Sequence, residues 1–91
     1  MTNSCALLST GSVQCWGDNE YSQLGNGSTT TSYVPVIVSG ISNAIAVSTG
    51  CLHTCAVLSG GSVQCWGSNE YGQLGIGIPM YSAVPVTVTG F

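Results

Sequence analysis

The chain has no lysine and no arginine, and its formal charge of −3 comes from Asp18, Glu20 and Glu70 alone. Without those cations nothing is present to neutralise phosphates, which excludes the basic footprint of a nucleic-acid interface. Polybasic membrane contacts and arginine forks for phosphate or carboxylate are excluded with it. One histidine and three scattered carboxylates give no nucleophile beside a base at a spacing that recurs, so neither enzymatic activity nor a cofactor is expected. No apolar run approaches the roughly 20 residues of a membrane span, and membrane insertion is not expected. The opening "MTNSCALLSTG" lacks the basic n-region and long h-region of a signal peptide.

What remains is apolar and turn-rich. The 91 residues are 44% hydrophobic and include 13 glycines, enough for one small domain that exposes much of what it tries to bury. No stretch sustains the helical i, i+3, i+4 pattern. Apolar segments are short, often alternate, and end at Gly or Pro, which reads as all-β. With so little charge, solubility rests on Ser, Thr, Asn, Gln and backbone, unless the surface is hidden in an assembly or coated by glycan.

The strongest signal is a repeat. "CALLSTGSVQCWGDNEYSQLG" from Cys5 returns as "CAVLSGGSVQCWGSNEYGQLG" from Cys55. Laying residues 1–41 on 51–91 without a gap gives 24 identities. A fixed period of this length marks a solenoid, propeller or array, whose units bury their faces against one another. One unit reads as four short strands: residues 44–48 ("AIAVS"), 53–58 ("HTCAVL"), 62–67 ("SVQCWG") and 84–88 ("VPVTV"). The last three recur at 3–8, 12–17 and 34–38. Four antiparallel strands per repeat is the pattern of a β-propeller blade. The domain reading is a first blade repeat over 1–40, holding strands two to four, and a second over 41–91, holding all four.

The hairpin can be followed residue by residue. "LSTGS" and "LSGGS" place Gly11 and Gly61 third in a three-residue loop, as a type I turn with an αL glycine requires. That register sets Cys5 opposite Cys15 and Cys55 opposite Cys65 at non-hydrogen-bonded positions, where side chains lie closest. Two disulfides are expected, and with them an oxidising, extracellular or cell-surface location. Leu7 and Val13 share the cysteine face, while Ala6, Leu8 and Trp16 point the other way.

"HTCAVLSGGSVQCWGSNEYGQLG" followed by "VPVTVTG" resembles the regulator of chromosome condensation repeat family. The matching features are the His before the second strand, the Trp-Gly closing the third, the N-E-Y-G-Q-L-G turn and the V-P-V strand. The cysteine-containing form looks like the versions in bacterial surface and secreted proteins. The resemblance implies a β-propeller, usually of seven blades. The founding member exchanges guanine nucleotide on a small GTPase and binds chromatin through basic segments and inserted loops. With no basic residue and no long insertion here, neither activity is expected, since fold does not license function.

Candidate sites have bland readings. Cys51, His53 and Cys55 alternate along one strand face and offer three soft ligands. However, Cys55 already faces Cys65, and the first copy carries Met1, Asn3 and Cys5 there, so no metal site is expected. Cys51, odd and without a symmetry mate, reads as an unpaired buried thiol. Trp16 and Trp66, recurring at one blade position, read as inter-blade packing rather than sugar platforms. The "DNEY" and "SNEY" turns hold too few carboxylates for calcium; their Asn and Glu are expected to tie the turn's own backbone together. Asn26-Gly27-Ser28 is a glycosylation sequon on a loop.

The functional expectation is a structural, self-assembling module, with a carbohydrate- or protein-binding fragment of a longer repeat protein as the alternative. The segment "ISNAIAVSTG" occurs once, ahead of Cys51, so the first copy is one strand short. An isolated monomer would expose apolar blade faces and strand edges. A homo-oligomer is therefore expected: a ring if the head-to-tail rotation closes, a filament if it does not. A ring of two-blade chains holds an even number of blades, which excludes seven.

Overall fold

Alternating side chains at a period of two put Cys5, Leu7, Val13 and Cys15 on one face of a pleated pair and Ala6, Gln14 and Trp16 on the other. A computed structural model, which describes residues 3–50, 52–68 and 81–88, builds seven strands on this logic. They are β1 (Asn3–Leu7), β2 (Val13–Gly17), β3 (Ser32–Ile37), β4 (Ala44–Thr49), β5 (His53–Leu58), β6 (Val63–Ser68) and β7 (Tyr81–Thr87). They form two sheets, β1-β2-β3 and β4-β5-β6-β7, and every ladder is antiparallel between sequence neighbours. No helix occurs among the described residues, as the all-β reading required.

Both hairpins close as their glycines dictate. Leu8 N donates to Ser12 O and Gly11 N to Leu8 O, each at 2.9 Å, and Leu58, Ser62 and Gly61 repeat the pattern at the same distances. Gly11 and Gly61 hold φ of 89° and 92°. The resulting register faces Cys5 with Cys15 and Cys55 with Cys65. Both pairs are joined as disulfides across Cα separations of 4.0 and 4.1 Å, the close approach of a non-hydrogen-bonded pair.

The outer strands depart from expectation. They begin at Ser32 and Tyr81, two and three residues before the V-P-V segments. The cause is a bulge at Trp-Gly, where the register shifts between Cys15 and Gly17 and again between Cys65 and Gly67. The bulge brings Ser32 opposite Gly17 and Ser82 opposite Gly67, extending pairing upstream. Gly67 is required there, because at φ 103° a Cβ would lie 2.6 Å from Leu52 O. Pro35 is accommodated because β3 ends its sheet and an edge position needs no ladder N–H.

The sheets pack face to face. Val13, Cys15, Leu24, Val38 and Ile41 from the first half and Ala44, Ala56, Leu58 and Trp66 from the second form one buried cluster. The crossing between them is pinned by Ser39 N to Gly25 O, Ala44 N to Gly11 O and Ser59 N to Asn43 O, each at 2.9 Å.

Candidate functional site

The centre of the contact is built by residues 18–25, the turn between β2 and β3. Asn19 is fully buried and organises the loop mainly through its side chain, while its main-chain O accepts from Ser22 N at 3.0 Å. Its Nδ2 donates to Ser28 O at 2.8 Å and Thr30 O at 3.1 Å, and its Oδ1 accepts from Leu24 N at 2.9 Å. The expectation that Asn and Glu both tie this turn is met by Asn19; Glu20 is exposed. Gln23 Oε1 accepts from Tyr21 N at 2.8 Å, and Ser22 is held at φ 64°.

This scaffold aims the Gln23 main-chain carbonyl at the second sheet. Trp66 Nε1 donates to it at 2.8 Å, Thr54 Oγ1 at 3.1 Å and Asn3 Nδ2 at 3.4 Å. Asn3 Nδ2 also reaches Thr54 Oγ1 at 3.1 Å. Gly25 lets the indole come close, since a Cβ there would lie 2.6 Å from Trp66 Nε1. A buried carbonyl needs a partner, and an indole N–H supplies one without charge. The arrangement is an uncharged lock between sheets. It holds blade to blade and contains no reacting group.

The same positions in the first sheet are open. Thr54, Ala56 and Trp66 are wholly buried, each at 0% exposure, whereas Ser4 is exposed and Ala6 and Trp16 are half-buried. Leu58 is buried and Leu8 half-buried. Ser4 pairs with Trp16 as Thr54 pairs with Trp66, so the two faces share one layout. Trp66 therefore packs between the sheets. Trp16 stands on the side of its sheet facing away from them.

The other sequence candidates fall elsewhere. His53 is half-buried and its imidazole lies over Gly50. Among the described residues no three His, Cys, Asp or Glu side chains converge as metal ligands. Asn26 is partly exposed, and its Oδ1 accepts from Ser28 N at 3.3 Å and Ser28 Oγ at 3.0 Å. Cys51 and Glu70 lie outside the described residues. Sequence reasoning missed Asn3, Thr54 and the Gln23 carbonyl; the available signal was the joint recurrence of Trp and Gln-Leu-Gly at one spacing.

The model of the Regulator of chromosome condensation (RCC1) repeat matches residues 10–57 and 60–91, and a second model of that repeat matches 44–73. The chain belongs to the RCC1 repeat family. Its two sheets are blades of the RCC1 β-propeller type. Human WBSCR16 superposes with a TM-score of 0.87 at 26% identity, over 98% of this chain and 23% of that one. Prp20p from Saccharomyces cerevisiae gives 0.86 at 19% identity, over 98% and 24%. A chain in the structure of Kap60 bound to yeast RCC1 (Prp20) gives 0.83 at 21%, over 97% and 21%. The latter two likenesses show fold alone. The E3 ubiquitin-protein ligases HERC2 of human and mouse are 37% identical over 46 residues, half of this chain and 1% of theirs. The RCC1-type chain thus spans less than a quarter of these solved relatives and a hundredth of HERC2.

Proposed function

We propose that this RCC1-type chain is a structural stacking module. Two blade repeats, 1–40 and 41–91, associate face to face with further blades of the same kind, copies of this chain included, in a ring or filament. The observation that supports this reading is the contrast between Trp66, enclosed against Gln23, and Trp16, half-buried at the same position of a matching face. Apolar positions such as Val34, Ile37 and Ile45 are also more than 60% exposed, a surface that association would reduce. The two disulfides favour an extracellular or cell-surface setting. A bacterial source draws no support from the relatives, whose HERC2 members are human and murine.

A second reading, a protein-binding fragment of a longer repeat protein, is favoured by the solved relatives, which are described with Kap60, Gsp1p and histones. Multi-angle light scattering at micromolar concentration separates the two. Species that are multiples of 9.2 kDa support stacking; a single 9.2 kDa species rejects it and leaves the second reading.

A further inference from the structure

Asn-X-Ser/Thr occurs once in the chain, at Asn26-Gly27-Ser28. Resting on the extracellular or cell-surface setting proposed above, we infer that Asn26 is a modification site. Its Nδ2 carries an asparagine-linked oligosaccharide, taken from a lipid pyrophosphate donor by a transferase of the secretory compartment. A sequon of this kind calls for an accessible loop of an exported protein. Asn26 is partly exposed, and Gly27, Thr29 and Thr30 around it are exposed. A Cβ at Gly27 would meet nothing within 4 Å, so the space over the turn is open.

The acceptor amide is already oriented. Asn26 Oδ1 accepts from Ser28 N at 3.3 Å and Ser28 Oγ at 3.0 Å, an Asx-turn closed by the hydroxyl that defines the sequon. Asn19 Nδ2 approaches the same oxygen at 3.5 Å from the buried side. With its oxygen held by these donors, Asn26 Nδ2 turns outward. Among the described residues it has no acceptor, and it is not one of the buried polar atoms left without a partner; it meets solvent. Asn3 and Asn19, by contrast, are buried and hydrogen-bonded. The second copy reads Ile76-Gly77-Ile78 at the equivalent positions, so the site belongs to the first blade alone and is no property of the repeat.

In the transfer, Nδ2 bonds to the anomeric carbon of the saccharide as that carbon's bond to the pyrophosphate oxygen breaks. The lipid pyrophosphate leaves with the bonding pair, and an amide proton passes to a carboxylate of the transferase. Asn19 Nδ2 spans Asn26 and Thr30, which sets the saccharide near the start of β3, where Tyr33 is 89% exposed. The Gln23 carbonyl points at the second sheet, so the contact between the sheets is left intact.

The test is secretion of the full chain, behind a cleavable signal peptide, from cultured eukaryotic cells. Intact mass and thiol alkylation are read on the medium. The expected product has both disulfides formed and one oligosaccharide increment, removed completely by peptide N-glycosidase F. Digestion in heavy-oxygen water labels the released site, which separates enzymatic release from spontaneous deamidation at Asn-Gly. Asn26→Gln and Ser28→Ala should each lose the increment entirely, while Ser28→Thr keeps it. Wild type secreted with its disulfides and without saccharide overturns the site and leaves the extracellular setting standing. An increment that survives in Asn26→Gln places the sugar on a hydroxyl and equally overturns the site. Wild type retained in the cell with reduced cysteines overturns the setting, and the site with it.

Discussion

β2 and β6 share the sequence Val-Gln-Cys-Trp-Gly, have the same hairpin register and carry the same disulfide. Trp66 is nevertheless sealed from solvent while Trp16 is half open. Nothing within either pentapeptide accounts for the difference. It comes from the neighbour: the Gln23 carbonyl and Gly25 stand against Trp66. In a repeat protein the stability of a unit is the sum of its own terms and its nearest-neighbour contacts. Identical strands can therefore contribute very different amounts.

The largest expected effect breaks this contrast outright. Trp66→Ala removes a fully buried ring and a donor to Gln23 O, and should cost about 3–5 kcal/mol. Trp16→Ala, in dilute solution where copies do not meet, should cost about 1 kcal/mol. Urea melts of both variants check this, and equal losses would show that the first sheet's face is already filled.

A smaller effect sharpens the comparison at the glycines of one loop. Gly25 and Gly27 both hold positive φ, 66° and 84°. A Cβ at Gly25 would meet the Trp66 indole, whereas one at Gly27 would meet nothing within 4 Å. Gly25→Ala should cost about 3 kcal/mol, left-handed strain plus overpacking, and Gly27→Ala about 1 kcal/mol from strain alone. Thermal melts of the pair test whether the close approach of the indole, rather than the backbone angle, dominates.

The smallest effect has the opposite sign. Ser22 holds φ 64°, and its buried hydroxyl has no hydrogen-bond partner; the second copy places Gly72 there. Ser22→Gly should stabilise the chain by about 1 kcal/mol, the relief of left-handed strain less the entropy cost of glycine. A fall in melting temperature would show that the hydroxyl contributes to the turn.

Much of the fold was legible because local chemistry determined it. Glycine third in a three-residue loop sets the hairpin register, and the register sets the cysteine pairing. The bounds of β5 follow directly from "HTCAVL". The starts of β3 and β7 were not legible, because a bulge at Trp-Gly moves the register by an amount that no periodicity records. The lock between blades was half legible. Its donor is a tryptophan, conspicuous in any sequence. Its acceptor is the main-chain oxygen of Gln23, a group every residue type shares, so that only the joint recurrence of Trp with Gln-Leu-Gly marks its place. Asn19 was read correctly as tying its turn, yet its burial and its reach to Ser28 and Thr30 depend on a loop path that composition does not specify.

That main-chain acceptor has a consequence for how such a chain can change over generations. A point substitution at position 23 alters the side chain and leaves the carbonyl in place, provided the turn keeps its shape. The donors from Trp66, Thr54 and Asn3 can each be deleted by a single codon change. For these hydrogen bonds mutational risk is therefore uneven, concentrated on the donors and nearly absent from the oxygen itself, although Gly25 beside it must stay small. Any blade carrying the turn remains an eligible neighbour for any blade carrying the tryptophan, so units can be duplicated, lost or exchanged without the acceptor having to be found again.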